Sequence, residues 1–180
     1  MARRQRDKDA GLFHVWCHSV WSAELYRDDL DRSRFVTELA RITQRTGWRC
    51  IASCLLTTHY HLLVEVEKDV LPGAMQALNF RYASGFNSRH RLRGHVVGGR
   101  YGSRRVVGEA DLRDTYRYLA RNPVEAGLCA SPVQWRWSSY PGAVGCAEPL
   151  TFVDPSVVLG CFGSSPQAAT FELRRFVEKA

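Results

Sequence analysis

The run WRCIASCLLTTHYHLLVEV, residues 48–66, predicts the centre of the fold. Its two apolar segments are separated by Thr57 and Thr58, which indicates two antiparallel strands joined by a short turn. Side chains alternate between the two faces of a strand, so His59 and His61 are expected side by side on one face. The residues that alternate with them are apolar or aromatic. The run therefore predicts a sheet with one buried face and one face that carries two imidazoles.

Two adjacent imidazoles have more than one interpretation. They share a metal ion or a polar contact, or they repel each other when protonated. The chain has only six histidines, so the pair is notable. A His-x-His pair on its own, however, is more often a polar pair or a surface coincidence than a pair of metal ligands. The rest of the chain has to decide between these interpretations.

The segments on both sides of the hairpin complete an α+β pattern. Apolar periodicity and breaker residues predict strands at 12–20, 48–56, 59–66 and 103–107 and helices at 28–46, 71–90 and 109–121. The last of these helices is expected to end before Asn122 and Pro123. The order of these elements predicts a ferredoxin-like fold, an antiparallel sheet with helices packed on one face.

The length of 180 residues suits one domain with a sizeable core. We expect a basic N-terminal arm at residues 1–10, the main domain at 11–145 and a C-terminal extension at 146–180. Trp135 and Trp137 are predicted to form an aromatic plug, and the chain is expected to end in a helix. Residues 146–180 would cover a substrate site, brace the sheet or do neither, and their sequence does not favour one of these roles.

Composition and cysteine spacing exclude several classes of protein. No run of 18 apolar residues is present, and no apolar segment follows the basic start of the chain, so neither a membrane helix nor a secretory signal is expected. A cytoplasmic protein without a membrane partner is the resulting expectation. The six cysteines contain no CxxC pair, which argues against zinc knuckles and thiol redox motifs and favours buried structural thiols.

One segment of the chain is strongly basic. Residues 81–105 contain seven arginines, two histidines and no acidic residue, within a chain of net charge +7. Such a run is either a solvated basic face or a surface that meets a polyanion, and the interleaved aromatic residues and glycines favour single-stranded nucleic acid. The candidate nucleic-acid contacts are Arg81, Arg89, Arg91, Arg93, Arg100, Tyr101, Arg104 and Arg105.

The stretch TYRYLARNP, residues 115–123, adds a candidate nucleophile. Tyr118 and Asn122 are four residues apart on a predicted helix and share a face. If this helix crosses the sheet near the histidine pair, two imidazoles and an amide oxygen would hold a divalent cation beside a phenol. That arrangement suits metal-assisted attack of tyrosinate on a phosphodiester. Each residue alone has a simpler interpretation, since a helical tyrosine is often packed and asparagine often ends a helix.

Together, these motifs resemble those of a known family. His59-Tyr60-His61 is similar to the histidine–hydrophobe–histidine motif of the HUH endonucleases, and the whole run resembles their single-tyrosine transposases of the insertion-sequence and REP-associated type. The supporting stretches, in the order of the family, are GLFHVWCHS, GWRCIASCLLTTHYHLLVEV, FRYASGFNSRHRLRGHVVGGRY, YRYLARNPVEAGL and WRWSSYPGAVG. They cover residues 11–145.

The resemblance implies a ferredoxin-like catalytic domain that cuts single-stranded DNA, often next to a hairpin, and rejoins it. It implies that Tyr118 is the nucleophile that becomes linked to the 5′-phosphate. His59 and His61 would then be metal ligands with Asn122 as the third, and Mg²⁺ or Mn²⁺ the ion. Some relatives exchange the tyrosine helix between subunits, so the active unit is a monomer or a homodimer.

A second function remains open at this point. The same fold would also serve as a non-catalytic or domesticated module that binds hairpin DNA or RNA through its arginines. Binding alone does not need a phenol beside a metal, so the combination of His59, His61, Tyr118 and Asn122 favours the enzyme. A replication initiator or relaxase of the same superfamily is disfavoured, because the chain has no room for the motor domains that often accompany such nucleases.

Overall fold

The computed structural model describes residues 9–179 and is built around a four-stranded antiparallel sheet. The strands, listed in chain order, are β1 (Gly11–His18), β2 (Arg49–Leu55), β3 (His59–Val66) and β4 (Gly102–Arg105). They lie side by side in the order β2-β3-β1-β4, which is the order of a ferredoxin-like unit. The predicted α+β class and the predicted hairpin are both confirmed.

The first helical layer covers the apolar face of the sheet. It consists of α1 (Asp29–Thr46) and α2 (Val70–His90). Tyr60 of β3 packs there in one core cluster with Phe35 of α1 and Met75 of α2, and all three are almost completely buried. The alternation predicted for β3 is therefore confirmed, because every second side chain of this strand enters the core.

Helix α1 begins and ends with recognisable signals. The Asp28 carboxylate accepts a hydrogen bond from the Asp31 backbone N–H, which satisfies one of the free donors of the first turn. At the other end, Gly47 adopts a left-handed conformation with φ of 68°, which glycine reaches at little steric cost. These two signals explain why the predicted helix at 28–46 agrees with the observed one.

A second group of helices lies on the opposite face of the sheet. Its members are α3 (Gly108–Glu125), α4 (Tyr140–Ala143), α5 (Ser156–Leu159) and α6 (Pro166–Glu178). Leu63 of β3 packs there in a separate core cluster with Leu119 of α3 and Leu173 of α6. The expectation of helices on one face therefore holds for α1 and α2, and the structure adds a second layer on the other face.

Helix α3 is longer than the sequence predicts. It continues through Asn122 and Pro123 to Glu125, so the predicted end before Asn122 is wrong. Proline lacks only its own N–H and is tolerated here because it lies in the last turn, where Ala126 and Gly127 still donate to backbone carbonyls. Both Asn122 and Pro123 are buried, so their packing offsets part of the local penalty.

The chain after α3 joins the same body. Trp137 lies beside the edge of β2, where its carbonyl accepts the Leu55 backbone N–H, and the Trp135 indole donates to the Leu55 carbonyl. Both tryptophans are half-buried. They cover the edge of β2, whereas the sequence predicts an aromatic plug. Val158 and Val177 are fully buried in the second core, so the packing favours the bracing role among those left open for residues after 145.

Three further expectations concern the N-terminal arm, membrane helices and the cysteines. Most of the basic arm predicted at residues 1–10 lies outside the described residues. Within residues 9–179, no helix is long and apolar enough to cross a membrane. The cysteines in this range are free thiols, and burial raises the pKa of Cys50 to about 12, as expected of a structural thiol.

Candidate active site

The polar face of β1 and β3 carries four of the histidines. His14 and His18 project from β1 and His59 and His61 from β3, because residues two or four apart in a strand share a face. The antiparallel register places His18 opposite His59, and Trp16 opposite His61. The predicted juxtaposition of His59 and His61 is present, with ring centroids 5.0 Å apart.

The two strands also pair their histidines across the sheet. The His14 Nε2 lies 2.9 Å from the His61 Nδ1, within hydrogen-bonding distance. The His18 and His59 rings are stacked with centroids 4.7 Å apart. His14 and His18 are not among the site residues that the sequence predicts. Their spacing in GLFHVWCHS is a signal, since i and i+4 in a strand share a face, but it gains meaning only when the register with β3 is known.

Helix α3 crosses this face and brings Tyr118 to the histidines. The Tyr118 ring centroid lies 5.4 Å from that of His61 and 5.7 Å from that of His14. Tyr118 is 45% exposed, so its hydroxyl is accessible, whereas Tyr116 on the other side of the helix is buried in the core. The structure thus brings Tyr118 close to the two predicted histidines, a proximity that was only a condition of the prediction from sequence.

These residues line an open pocket of about 480 Å³. Its walls come from β1, β3 and β4 on one side and from one face of α3 on the other. The lining residues are His14, Trp16, His18, His59, His61, Arg104, Asp111, Asp114, Thr115 and Tyr118. The floor needs a glycine at position 102, since a Cβ there would lie 2.2 Å from the Trp16 ring. The pocket is therefore formed by the sheet face that α3 leaves partly uncovered.

Three imidazoles in the pocket, those of His14, His59 and His61, are held in their neutral form. Burial lowers the pKa of His61 to about 3, with further lowering by the neighbouring histidines. Burial and the nearby Arg104 lower the pKa of His14 to about 4. The pKa of His59 is lowered by burial and by His18. Neutral imidazole is the form that binds a metal ion, so these rings are available as ligands at neutral pH.

Arg104 joins the sheet to α3 at the rim of the pocket. Its guanidinium donates to both carboxylate oxygens of Asp111 at 2.8 Å and to the Thr115 hydroxyl at 2.6 Å. This forked contact links α3 to β4 at the wall of the pocket that also carries Tyr118. Arg104 was predicted to contact nucleic acid, and its geometry shows a contact within the protein.

The pocket offers nitrogen donors for a divalent metal. The His61 Nε2 is buried and has no hydrogen-bond partner, and the His59 Nδ1 is engaged by the Thr58 hydroxyl at 3.1 Å. Between residues 9 and 179, no group of three or more His, Cys, Asp or Glu side chains has a metal-binding arrangement. Asn122 lies one turn after Tyr118 and is mostly buried, but it does not line the pocket. The two predicted histidines fit a metal site, whereas the Asn122 amide lies outside the lining of the pocket.

The remaining arginines of the basic segment fall into two groups. Arg81, Arg91, Arg93 and Arg100 are exposed. Arg89 instead binds the carboxylates of Asp28 and Asp31. Arg105 donates to the Ala10 carbonyl and lies over the Phe13 ring, and Tyr101 is buried at the edge of the first core.

A tight turn after β1 exposes one further aromatic side chain. Trp21 is 97% exposed and has a left-handed backbone with φ of 56°, as does Ser22 with φ of 55°. The turn is fixed by hydrogen bonds from the Ser19 N–H to the Thr58 carbonyl and from the Val20 N–H to the Val96 carbonyl. It follows His18 directly, at the same end of the strands as the pocket. No sequence pattern marks Trp21, because its exposure depends on the backbone of the turn.

Comparison with known proteins supports the fold. No family model matches the sequence, and no curated protein matches it significantly. Among solved structures, a REP-associated tyrosine transposase bound to a REP hairpin aligns with a TM-score of 0.68 and 14% identity, over 86% of this chain and 92% of that chain. A protein described as a transposase from Deinococcus radiodurans R1 aligns with a TM-score of 0.47 and 15% identity, over 64% of this chain and 94% of that chain.

The first alignment defines the class of fold. The chain has the α+β fold of a tyrosine transposase, and the resemblance that the sequence motifs predict is confirmed at the level of the fold. More particularly, the likeness is to a REP-associated tyrosine transposase and extends over nearly all of that protein.

Proposed function

We propose that this protein is a transposase-type enzyme that cuts and rejoins single-stranded DNA through Tyr118. The observation that carries the proposal is the position of the Tyr118 phenol over the His14 and His61 rings, at the mouth of an open pocket. A packed structural tyrosine would be buried like Tyr116. An accessible phenol next to neutral imidazoles is instead the combination needed for nucleophilic attack at a phosphodiester.

The proposed chemistry consists of two exchanges at phosphorus. The Tyr118 oxygen loses its proton and attacks the phosphorus, the bond from phosphorus to O3′ breaks, and the departing O3′ takes up a proton. The strand that carries the 5′-phosphate is then linked to Tyr118. Attack by the 3′-hydroxyl of a second strand reverses the step and releases the phenol. Both exchanges conserve the energy of the phosphodiester bond, so no further reactant is required.

A divalent cation is part of the proposal. His59 and His61 would hold it through ring nitrogens, with Asn122 as the predicted third ligand, and Mg²⁺ or Mn²⁺ are the candidates. Bound there, such an ion supplies Lewis-acid stabilisation of negative charge on the phosphate oxygens. The buried His61 Nε2 without a partner supports this assignment, since a buried polar atom normally has one.

Single-stranded or hairpin DNA is the proposed partner. The solved structure with the similar fold is bound to a REP hairpin, and exposed arginines follow α2 in this chain. Arg91, Arg93 and Arg100 are the best placed of the predicted contacts, because they are exposed at the end of α2 and in the loop after it. Trp21 adds an exposed ring on which a base would stack.

The decisive experiment compares two tyrosine-to-phenylalanine substitutions on the same helix. Labelled hairpin oligonucleotides from the flanks of the gene are incubated with protein and Mn²⁺ or EDTA, then run on a denaturing gel. We expect wild type to form a metal-dependent covalent adduct that contains only the 3′ portion of the strand. Tyr118→Phe is expected to abolish the adduct while retaining DNA binding.

Tyr116→Phe is the matched control, since it removes a hydroxyl that is buried and without a hydrogen-bond partner. It is expected to form the adduct like wild type. An adduct formed by Tyr118→Phe would mean that another residue is the nucleophile. Tight binding to several flanking hairpins without any wild-type adduct would instead favour the non-catalytic binding module.

A further inference from the structure

The hydrogen bond between His14 and His61 gives His14 a role that the proposed metal site alone does not contain. The His14 Nε2 and the His61 Nδ1 are 2.9 Å apart, and both residues are buried, with 8% and 4% exposure. A neutral imidazole carries one proton on either of two nitrogens. The contact between the two rings therefore has two arrangements, which differ in where each proton lies.

The two arrangements have opposite consequences for His61. If His14 donates from Nε2, then His61 carries its own proton on Nε2 and has no lone pair there for a ligand. If His61 donates from Nδ1, its Nε2 carries a lone pair. That Nε2 is the nitrogen that is buried without a partner, so only the second arrangement prepares it to bind a cation.

We propose that His14 is a positioning residue that accepts the His61 Nδ1 proton and thereby keeps the His61 Nε2 available as a metal ligand. The inference rests on the proposed function and deepens it, since it concerns how one ligand is prepared. Ligating histidines commonly donate their other nitrogen to a neighbouring group, which fixes the tautomer and the orientation of the ring.

The surroundings of His14 suit this role because they fix its ring. His14 lies on β1, which has a neighbour on both sides, and it pairs with Leu63 of β3 and Arg104 of β4. Its ring centroid lies 5.0 Å from that of Trp16 and 5.7 Å from that of Tyr118. A ring in contact with these two aromatic side chains and with His61 presents its Nε2 in one direction before any ligand arrives.

The test uses two substitutions at position 14 and one elsewhere. His14→Gln places an amide oxygen near the former Nε2 and can accept from the His61 Nδ1, whereas His14→Leu cannot. His95→Leu removes an exposed imidazole outside the pocket and serves as the control. Circular dichroism and thermal melting first establish that each variant is folded, and His14→Gln keeps the test available if His14→Leu is not.

The first measurement is the affinity for Mn²⁺ alone, by isothermal titration calorimetry on the full chain. We expect His14→Leu to weaken binding by about 10- to 100-fold, the range typical for loss of such an outer contact. His14→Gln is expected to bind nearly as wild type does, and His95→Leu equally to wild type. Equal Mn²⁺ affinity in His14→Leu and wild type, or no Mn²⁺ binding by wild type, would overturn the proposal.

The second measurement needs no metal and no DNA. Nitrogen-15 spectra of the metal-free protein identify the protonated ring nitrogen of His61. We expect the proton on Nδ1 in wild type and His14→Gln, and a shift towards Nε2 in His14→Leu. A wild-type His61 protonated on Nε2 would overturn the proposal. Failure of the proposed function would appear separately, as a wild type that forms no adduct while its His61 tautomer is as expected.

Discussion

At the scale of single residues, the pocket histidines make the stability of the protein depend on pH. In the unfolded chain a histidine takes up a proton near its ordinary pKa of 6.5, whereas the folded chain holds the pKa of His61 at about 3 and that of His14 at about 4. Between these values the unfolded state binds more protons than the folded state. Stability is therefore expected to fall as the pH is lowered from about 6.5 towards 4.

This expectation is checked by urea unfolding at pH 7.0, 5.5 and 4.5. Each fully shifted histidine contributes a slope of at most about 1.4 kcal/mol per pH unit in this window. His14→Gln removes one such group and should flatten the dependence relative to wild type. A free energy of unfolding that does not change between pH 7.0 and 4.5 would contradict the burial of the imidazoles.

The residues of the site differ in how far the sequence reveals them. His59 and His61 are foreseeable because alternation within one strand is a local property. Their proximity to Tyr118 depends on where α3 crosses the sheet, and the sequence supports it only through the resemblance. His14 and His18 were not predicted because a cross-strand pair depends on the register of two strands. The ion pairs of Arg89 and Arg104 were not predicted either, because their carboxylate partners lie on other elements of the fold.

At the scale of elements, Asp31 links the two helices of the first layer. Its side chain is 1% exposed and contacts Arg89 and His90 near the end of α2, and it also accepts the Arg27 backbone N–H at 2.9 Å. Removal of one member of such a buried ionic group leaves the others without compensation. The buried part of this ionic contact between α1 and α2 is therefore the Asp31 carboxylate, beside the exposed pair of Asp28 with Arg89.

We expect Asp31→Ala to lower the free energy of unfolding by about 3 kcal/mol, as for other broken buried ion pairs. Glu172→Ala is the control, because Glu172 forms only an exposed pair with Arg175 on α6, and its effect should be below about 0.5 kcal/mol. Both values come from chemical denaturation at pH 7. A similar small loss in both variants would show that the ion pairs of Asp31 contribute little to the contact between α1 and α2.

The turn after β1 gives a second prediction at this scale. Trp21 is exposed and buries almost nothing, so Trp21→Ala should leave the melting temperature nearly unchanged. If a base stacks on the indole, the same substitution should weaken single-stranded DNA binding by about 1–3 kcal/mol. Fluorescence anisotropy with a labelled oligonucleotide measures the change.

Phe80→Ala is the matched control for Trp21, since Phe80 is also exposed, at 71%, but lies on α2 away from the pocket. Its DNA affinity should equal that of wild type, and Trp21→Phe should retain part of the stacking. Equal losses for Trp21→Ala and Phe80→Ala would point to a general surface effect and against a base-stacking site.

At the scale of the whole molecule, the site depends on helices that do not line it. Helix α3 carries Tyr118 on one face and packs its apolar face between the sheet and α6, where Leu173 is fully buried. The position of the phenol relative to the histidines is therefore maintained from behind, by residues of the C-terminal part of the chain.

Leu173→Ala is expected to lower the free energy of unfolding by about 2–5 kcal/mol, the usual range for a leucine removed from a core. Phe171→Ala, two residues earlier on the exposed side of α6, should change it little. Urea unfolding at pH 7 gives both values. If Leu173→Ala is as stable as Phe171→Ala, then α6 is not part of the cooperative core.

The sheet and the first helical layer were predictable from the sequence. The ferredoxin-like order follows from short-range patterns: alternation in the strands, helical periodicity and a glycine after α1. The second layer was not predictable to the same degree. An apolar stripe on α3 or α6 shows that a helix is buried, but not against which partner, and Pro123 gave a stop signal that the tertiary packing overrides.

The register of β1 and β3 has a consequence for how this gene can change. The histidines and the core side chains occupy alternating positions of the same two strands. A codon inserted or deleted within β3 would exchange the two sets, which would carry imidazoles into the first apolar layer and move Leu62 and Val64 to the face of the pocket and of α3. Selection for folding alone would remove such length changes. A descendant without the proposed activity would therefore still keep the length of these strands, and would lose its histidines only by substitution.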